Sequence, residues 1–140
     1  MKRFLSIAIV LLLAVSCRQP SSQEHFIQGS GPYVFPVEMT DSAAVYDFDL
    51  FTRLDVDRPY DMHAIPAEMP VRVQWTSPSD SLFRETVYLP LSTDVYQPYR
   101  ADVAPYEYGE WTLTITLPNP PEGLQGMGLV VKKKAWDTEN

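Results

Sequence analysis

Acid–base and metal chemistry need histidines and carboxylates brought together, and this 140-residue chain offers few places where they could meet. It has two histidines, His25 and His63. His63 follows "DVDRPYDM" and has Asp55, Asp57 and Asp61 nearby in sequence. An enzymatic reading would need His63 and two of these carboxylates to converge in a cleft. No serine or cysteine stands in a strained turn near them to act as nucleophile, so a catalytic triad is not supported. The three aspartates could offer oxygens to calcium, which takes six to eight such ligands. The segment lacks the central glycine and closing glutamate of a calcium loop, and it reads as a solvated acidic loop. His25 lies in a polar stretch without partners of this kind. We expect no catalytic residues, no metal site and no cofactor.

A different chemistry is suggested by tyrosine. The stretch "VYQPYRADVAPYEYGE" holds Tyr96, Tyr99, Tyr106 and Tyr108. Exposed aromatic rings anchor protein partners or stack on sugar rings at low entropic cost. These four are the candidate contact residues for a protein or a glycan, with some of them belonging to the core. Tyr108, just before a strand-like segment, could tie a loop to the backbone. A glycan platform would need several of the four to be coplanar and exposed.

The single cysteine, Cys17, ends the stretch "LLLAVSC". Lys2 and Arg3 precede a largely apolar run from Phe4 to Val15, and the small residues Ala14 and Ser16 stand before the thiol. The run is twelve residues long, whereas a membrane span needs about 20. It fits the apolar core of a secretory signal. A cysteine at the cleavage point resembles the bacterial lipoprotein signal, with Ala14 where leucine is the usual residue. Residues 1–16 are therefore expected to be a lipoprotein signal peptide, with the membrane partner held through lipid on Cys17. Several acyl chains anchor stably where one anchors marginally. Residues 17–32 read as the lipidated cysteine and a flexible polar tether, "RQPSSQEHFIQGSGP". No acidic residue follows Cys17 before Glu24.

With Cys17 acylated, no disulfide, redox pair or cysteine-ligated zinc is available, so the domain relies on its own core. The 124 residues from Cys17 onward are enough to bury such a core. The whole chain carries 11 basic and 18 acidic side chains, a formal charge of −7. Without Lys2 and Arg3 the charge becomes −9. Such a surface repels nucleic acid, and no nucleic-acid partner is expected.

Residues 33–140 alternate with the two-residue period of strands, and the chain's 13 prolines leave little room for long helices. In "GEWTLTITLP", Trp111, Leu113, Ile115 and Leu117 share one face and threonines the other. "VYDFDLF" sets Tyr46, Phe48 and Leu50 against Asp47, Asp49 and Phe51. "VRVQWTSP" sets Val71, Val73 and Trp75 inward. In "SLFRETVYLPL", Glu85 falls in phase with Phe83, Val87 and Leu89; either a bulge shifts the register or the carboxylate is partnered, and the bulge is favoured. "YVFPVEM", "YRADV" and "GMGLVVKK" complete the set. In the last, Gly126 and Gly128 point to a bulge or a close backbone approach. The basic run Lys132, Lys133 and Lys134 reads as a charged strand end that discourages edge pairing. The expected fold is all-β, an antiparallel β-sandwich of about seven strands behind the signal and tether.

The order of these segments resembles the gliding-motility lipoprotein H (GldH-like) family of Bacteroidota. The likeness rests on the lipoprotein signal, "YDFDLFTR", "VRVQWTSPSDSLFRETVYLPL" and "GEWTLTITLPNPPEGLQGMGLVVKKK". Only "STDVYQPYRA" stands where family members carry a longer glycine-rich insertion. The resemblance implies a non-enzymatic, lipid-anchored envelope protein that serves an envelope complex as an accessory, protein-binding subunit. Surface-exposed lipoproteins of that phylum often carry acidic residues just after the cysteine, so the absence of any before Glu24 favours the periplasmic face of the outer membrane. The alternative from another class is a glycan-binding lipoprotein for nutrient capture.

Overall fold

The computed structural model describes residues 21–55 and 68–136. Cys17, Asp57, Asp61 and His63 lie outside the described residues. Eight strands form two antiparallel four-stranded sheets packed as a β-sandwich. They are β1 (Ser21–Gln28), β2 (Tyr33–Met39), β3 (Ala44–Leu54), β4 (Glu68–Thr76), β5 (Leu82–Pro90), β6 (Gln97–Val103), β7 (Gly109–Thr116) and β8 (Leu124–Ala135). One sheet has the order β1-β8-β3-β6 and the other β2-β7-β4-β5.

Alternation builds the core. Trp111, Leu113 and Ile115 of β7 face inward beside Val71, Val73 and Trp75 of β4. Tyr46, Phe48 and Leu50 of β3 oppose them from the other sheet, next to Met127, Leu129 and Val131 of β8. Each of these is buried, as the period-two pattern requires. Phe48 meets Trp75 edge-on across the sandwich, with centroids 5.2 Å apart.

The count exceeds the expected seven because β1 forms within the stretch read as a flexible tether. All eight of its residues pair with β8, from Ser21↔Lys133 to Gln28↔Gly126. Six of the eight side chains are polar, so the segment carries little periodic signal. Its two apolar residues are enough to seat it: Ile27 packs on the core, and Phe26 stacks on Phe51 over the outer surface, with centroids 6.0 Å apart. His25 is therefore a strand residue rather than a tether residue.

Phe26 and Phe51 both stand in register with Gly128, one on each side of it. A side chain at Gly128 would run into the Phe51 ring, and one at Gly126 into Phe26 and the Ile27 carbonyl. The close approach read from "GMGLVV" is thus present, together with a register shift opposite Arg53 and Leu54. Phe51 faces outward, yet it is only 3% exposed because Phe26 and Tyr96 cover it.

Two expectations are overturned. The register between β4 and β5 runs without a break through Val73↔Glu85, so there is no bulge at Glu85; the carboxylate is partnered instead. The lysine run does not guard an edge, because β8 lies inside its sheet between β1 and β3. Lys132 pairs with Asp49 at 3.0 Å, Lys133 with Asp41 at 3.2 Å, and Lys134 with Asp47 and Asp102 at 3.1 and 2.7 Å. The run neutralises the aspartates of its neighbours, and the alternation "DFD" in β3 is its counterpart.

Candidate functional site

The side of the sandwich bordered by β5 and β6 is where this chain departs most from a closed core. Phe83, Glu85, Val87 and Leu89 of β5 have inward phase, but Phe83 remains 50% exposed. Trp75 lies behind them, and Tyr99 of β6 covers it as a nearly parallel ring, with centroids 6.5 Å apart and an interplanar angle of 9°. The Trp75 Nε1–H donates to the Tyr99 hydroxyl at 3.0 Å, and that hydroxyl donates to Glu85. Arg100 closes the network with a 2.7 Å bond to Glu85 Oε2. It also reaches over the Phe83 ring. Glu85 thus bridges the two sheets at their open side.

Burial first, and then the hydrogen bond to Glu85, push the Tyr99 hydroxyl up to about 12. Its folded-state pKa therefore lies above the value of about 10 expected in the unfolded chain. The neutral hydroxyl contributes stability that is fully present below pH 10 and is lost as pH rises through 12. Urea midpoints measured from pH 9 to 12 for wild type and Tyr99→Phe should show the wild-type advantage shrinking across that window. A constant gap would mean that the hydroxyl is not held neutral by the network.

Among the described residues the backbone of β5 forms an outer edge of its sheet, since it pairs there with β4 alone. It is regular over nine residues. Leu82, Phe83 and Tyr88 on it are each at least half exposed. The other edges are different. β2 carries Pro36 at its middle. β6 has Pro98, two register shifts against β3, and Asp102 in the left-handed region at φ 55°. β1 presents mainly serine, glutamine, glutamate and histidine. Proline, irregularity and polar side chains are the usual means of blunting an edge. Among the described strands, β5 is the long, regular edge with apolar side chains beside it.

Around β5, the outer surface of β4, β5 and β7 forms a shallow groove of about 360 Å³. The inward-facing Val73 and Glu85 border it, and Arg72, Gln74, Arg84, Thr86, Thr114 and Thr116 line it. These are the outward positions of three strands, set side by side by the registers Arg72↔Thr86, Gln74↔Arg84 and Gln74↔Thr114.

The four tyrosines do not share one surface. Tyr96 lies against Phe51 on the outside of the first sheet, at 5.1 Å, and its hydroxyl donates to Glu24 at 2.8 Å. Tyr99 is turned in against Trp75. Tyr106 follows the far end of β6 and meets Trp111 edge-on at 5.2 Å. Tyr106 and Tyr108 are exposed. The loop tie foreseen for Tyr108 is made by Trp111, whose Nε1–H donates to the Glu107 carbonyl at 2.9 Å.

Sequence reasoning missed the β5 edge and its arginine-lined groove. The signal that could have found them was Glu85 itself, because an inward-facing charge is characteristic of an edge strand. A comparison with protein-family models gives no match, and neither does a comparison with curated proteins.

Proposed function

We propose that this chain is a lipid-anchored β-sandwich of the cell envelope that works by protein contact, as a non-enzymatic accessory subunit of an envelope complex. The observation that carries the reading is the β5 edge: regular, unpaired on one side among the described residues, and bordered by exposed Leu82, Phe83 and Tyr88. Exposed aromatic and aliphatic side chains beside free backbone donors and acceptors suit a protein surface better than solvent. The resemblance to the gliding-motility lipoprotein H family agrees with such a role, as does the expected lipid on Cys17 at the periplasmic face of the outer membrane. The tyrosines support glycan capture less well, since their ring partners separate them into different surroundings.

The test is a photocrosslinking amino acid placed at Tyr88 in the full-length chain, expressed in its own cells. A second version carries the crosslinker at Val34, which is comparably exposed on β2. A discrete protein adduct is expected from position 88 and not from 34. Its yield should fall when Cys17→Ser leaves the chain without its anchor. Equal labelling from both positions, or no adduct from 88, would defeat the reading.

A further inference from the structure

We infer that β5 accepts an extended, acidic segment of the partner protein as an added strand, whose carboxylates are received by Arg84 and Arg72. This inference rests on the protein-contact reading and specifies its chemistry.

Two prolines fix which backbone groups of β5 face outward. Pro70 of β4 stands in register with Tyr88, and Pro90 of β5 with Glu68. A proline has no N–H to give, so both fit positions whose N–H would point away from the partner strand. The alternation then places the N–H and C=O groups of Arg84, Thr86 and Tyr88 on the open side of β5. An arriving strand would find a run of evenly spaced donors and acceptors there, as strand addition requires.

Most cations among the described residues already hold a carboxylate. Seven lysines and arginines lie among the described residues. Arg53, Arg100, Lys132, Lys133 and Lys134 each hold a carboxylate. Arg72 and Arg84 are the two without a carboxylate partner; Arg84 bonds the Gln74 side-chain oxygen at 2.9 Å. Both occur in the same groove, on adjacent strands, in a chain whose net charge is −7. Glu38 and Glu110, in register with one another, sit at the opposite edge of the same sheet. On the sheet's outer face the two arginines thus lie towards β5, where Glu68 beside Pro90 is the carboxylate at the strand end, and the glutamate pair lies towards β2.

An added strand would set side chains directly across from Arg84, where a carboxylate can accept two parallel hydrogen bonds. Thr86 lies between Arg72 and the open edge, and its short side chain leaves the longer arginine room to reach across. A second copy of this chain fits less well. Two β5 strands paired about Thr86 would bring together outward faces made of Leu82, Arg84, Thr86, Tyr88 and Pro90, with no carboxylate among them. The arginines thus act as a selector: they repel indiscriminate basic strands and leave acidic ones favoured.

The crosslinker at Tyr88 tests this, combined with mapping of the linked partner peptide by mass spectrometry. Backgrounds are wild type, the doubly reversed Arg72→Glu/Arg84→Glu, the neutral Arg72→Gln/Arg84→Gln, and Thr86→Pro, which removes one outward donor. The mapped segment should be free of proline over several residues and carry Asp or Glu at alternate positions. Adduct yield should drop at least tenfold on charge reversal, drop less on neutralisation, and drop in Thr86→Pro, with unchanged thermal midpoints for the arginine variants. Undiminished labelling after charge reversal, or a mapped segment without alternating acids, overturns the inference and leaves the protein-contact reading standing. A wild-type chain that gives no adduct removes both.

Discussion

Trp111→Ala is expected to lower the unfolding free energy by about 3–5 kcal/mol, the usual cost of emptying a buried aromatic site. Trp111 is 6% exposed and meets Trp75 edge-on at 6.2 Å. Its indole N–H also ties the chain just ahead of β7 by bonding the Glu107 carbonyl. The alanine variant loses both the volume and the tie, and it leaves Tyr106 without the ring it rests on. For a domain of this size the thermal midpoint should fall by about 15–25 °C. Urea unfolding of wild type and variant checks the value, and a midpoint shift within error would place the side chain outside the core. Trp111→Phe keeps part of the volume but has no N–H, so it should fall between the two.

Gly128→Ala should cost about 1–3 kcal/mol although it adds a single methyl group, because overfilling a packed site strains its neighbours. The added carbon would occupy space taken by the Phe51 ring, which lies over the glycine on the outer face of the sheet. Strain from the backbone is not the cause, since Gly128 is not among the glycines with positive φ. The double variant Gly128→Ala/Phe51→Ala separates the two effects. Without the ring, the extra methyl should be nearly neutral, giving a coupling of about 0.5–3 kcal/mol between the two sites. Additive losses in denaturant melts would show that the ring and the glycine are not in contact.

The parts of the fold that were legible in the sequence are those where one face of a strand is apolar and the other polar. "GEWTLTITLP" and "VRVQWTSP" state their inward residues directly, and all of those residues are buried. β1 was not legible because its burial is borrowed: Phe26 and Ile27 gain partners only after β8 and β3 are in place. The lysine run was misread for a related reason. A triplet of charges looks the same in sequence whether it guards an edge or meets aspartates from neighbouring strands, and strand order decides between them. The candidate site was partly visible, in the unexpected phase of Glu85. Its meaning depended on Arg100 and Tyr99, which lie 14 or 15 residues away and on the other sheet. Tyrosine clustering in sequence was a poor guide to clustering in space, since the strand β6 carries Tyr96 and Tyr106 to its two ends.

If Cys17 carries the proposed lipid, the position of β1 limits how far the domain can stray from it. Were the folded part to begin at Tyr33, sixteen residues of leash could stretch about 55 Å. Pairing begins at Ser21, and the four residues back to Cys17 span at most about 14 Å. A sandwich so tethered would ride close against the bilayer with little freedom to tumble. It would be attached at the Ser21 end of β1, on the border of the sandwich away from β5. Its search for a partner would be a two-dimensional one among neighbours in the same leaflet, so even a modest edge affinity would suffice at the local concentrations such confinement produces.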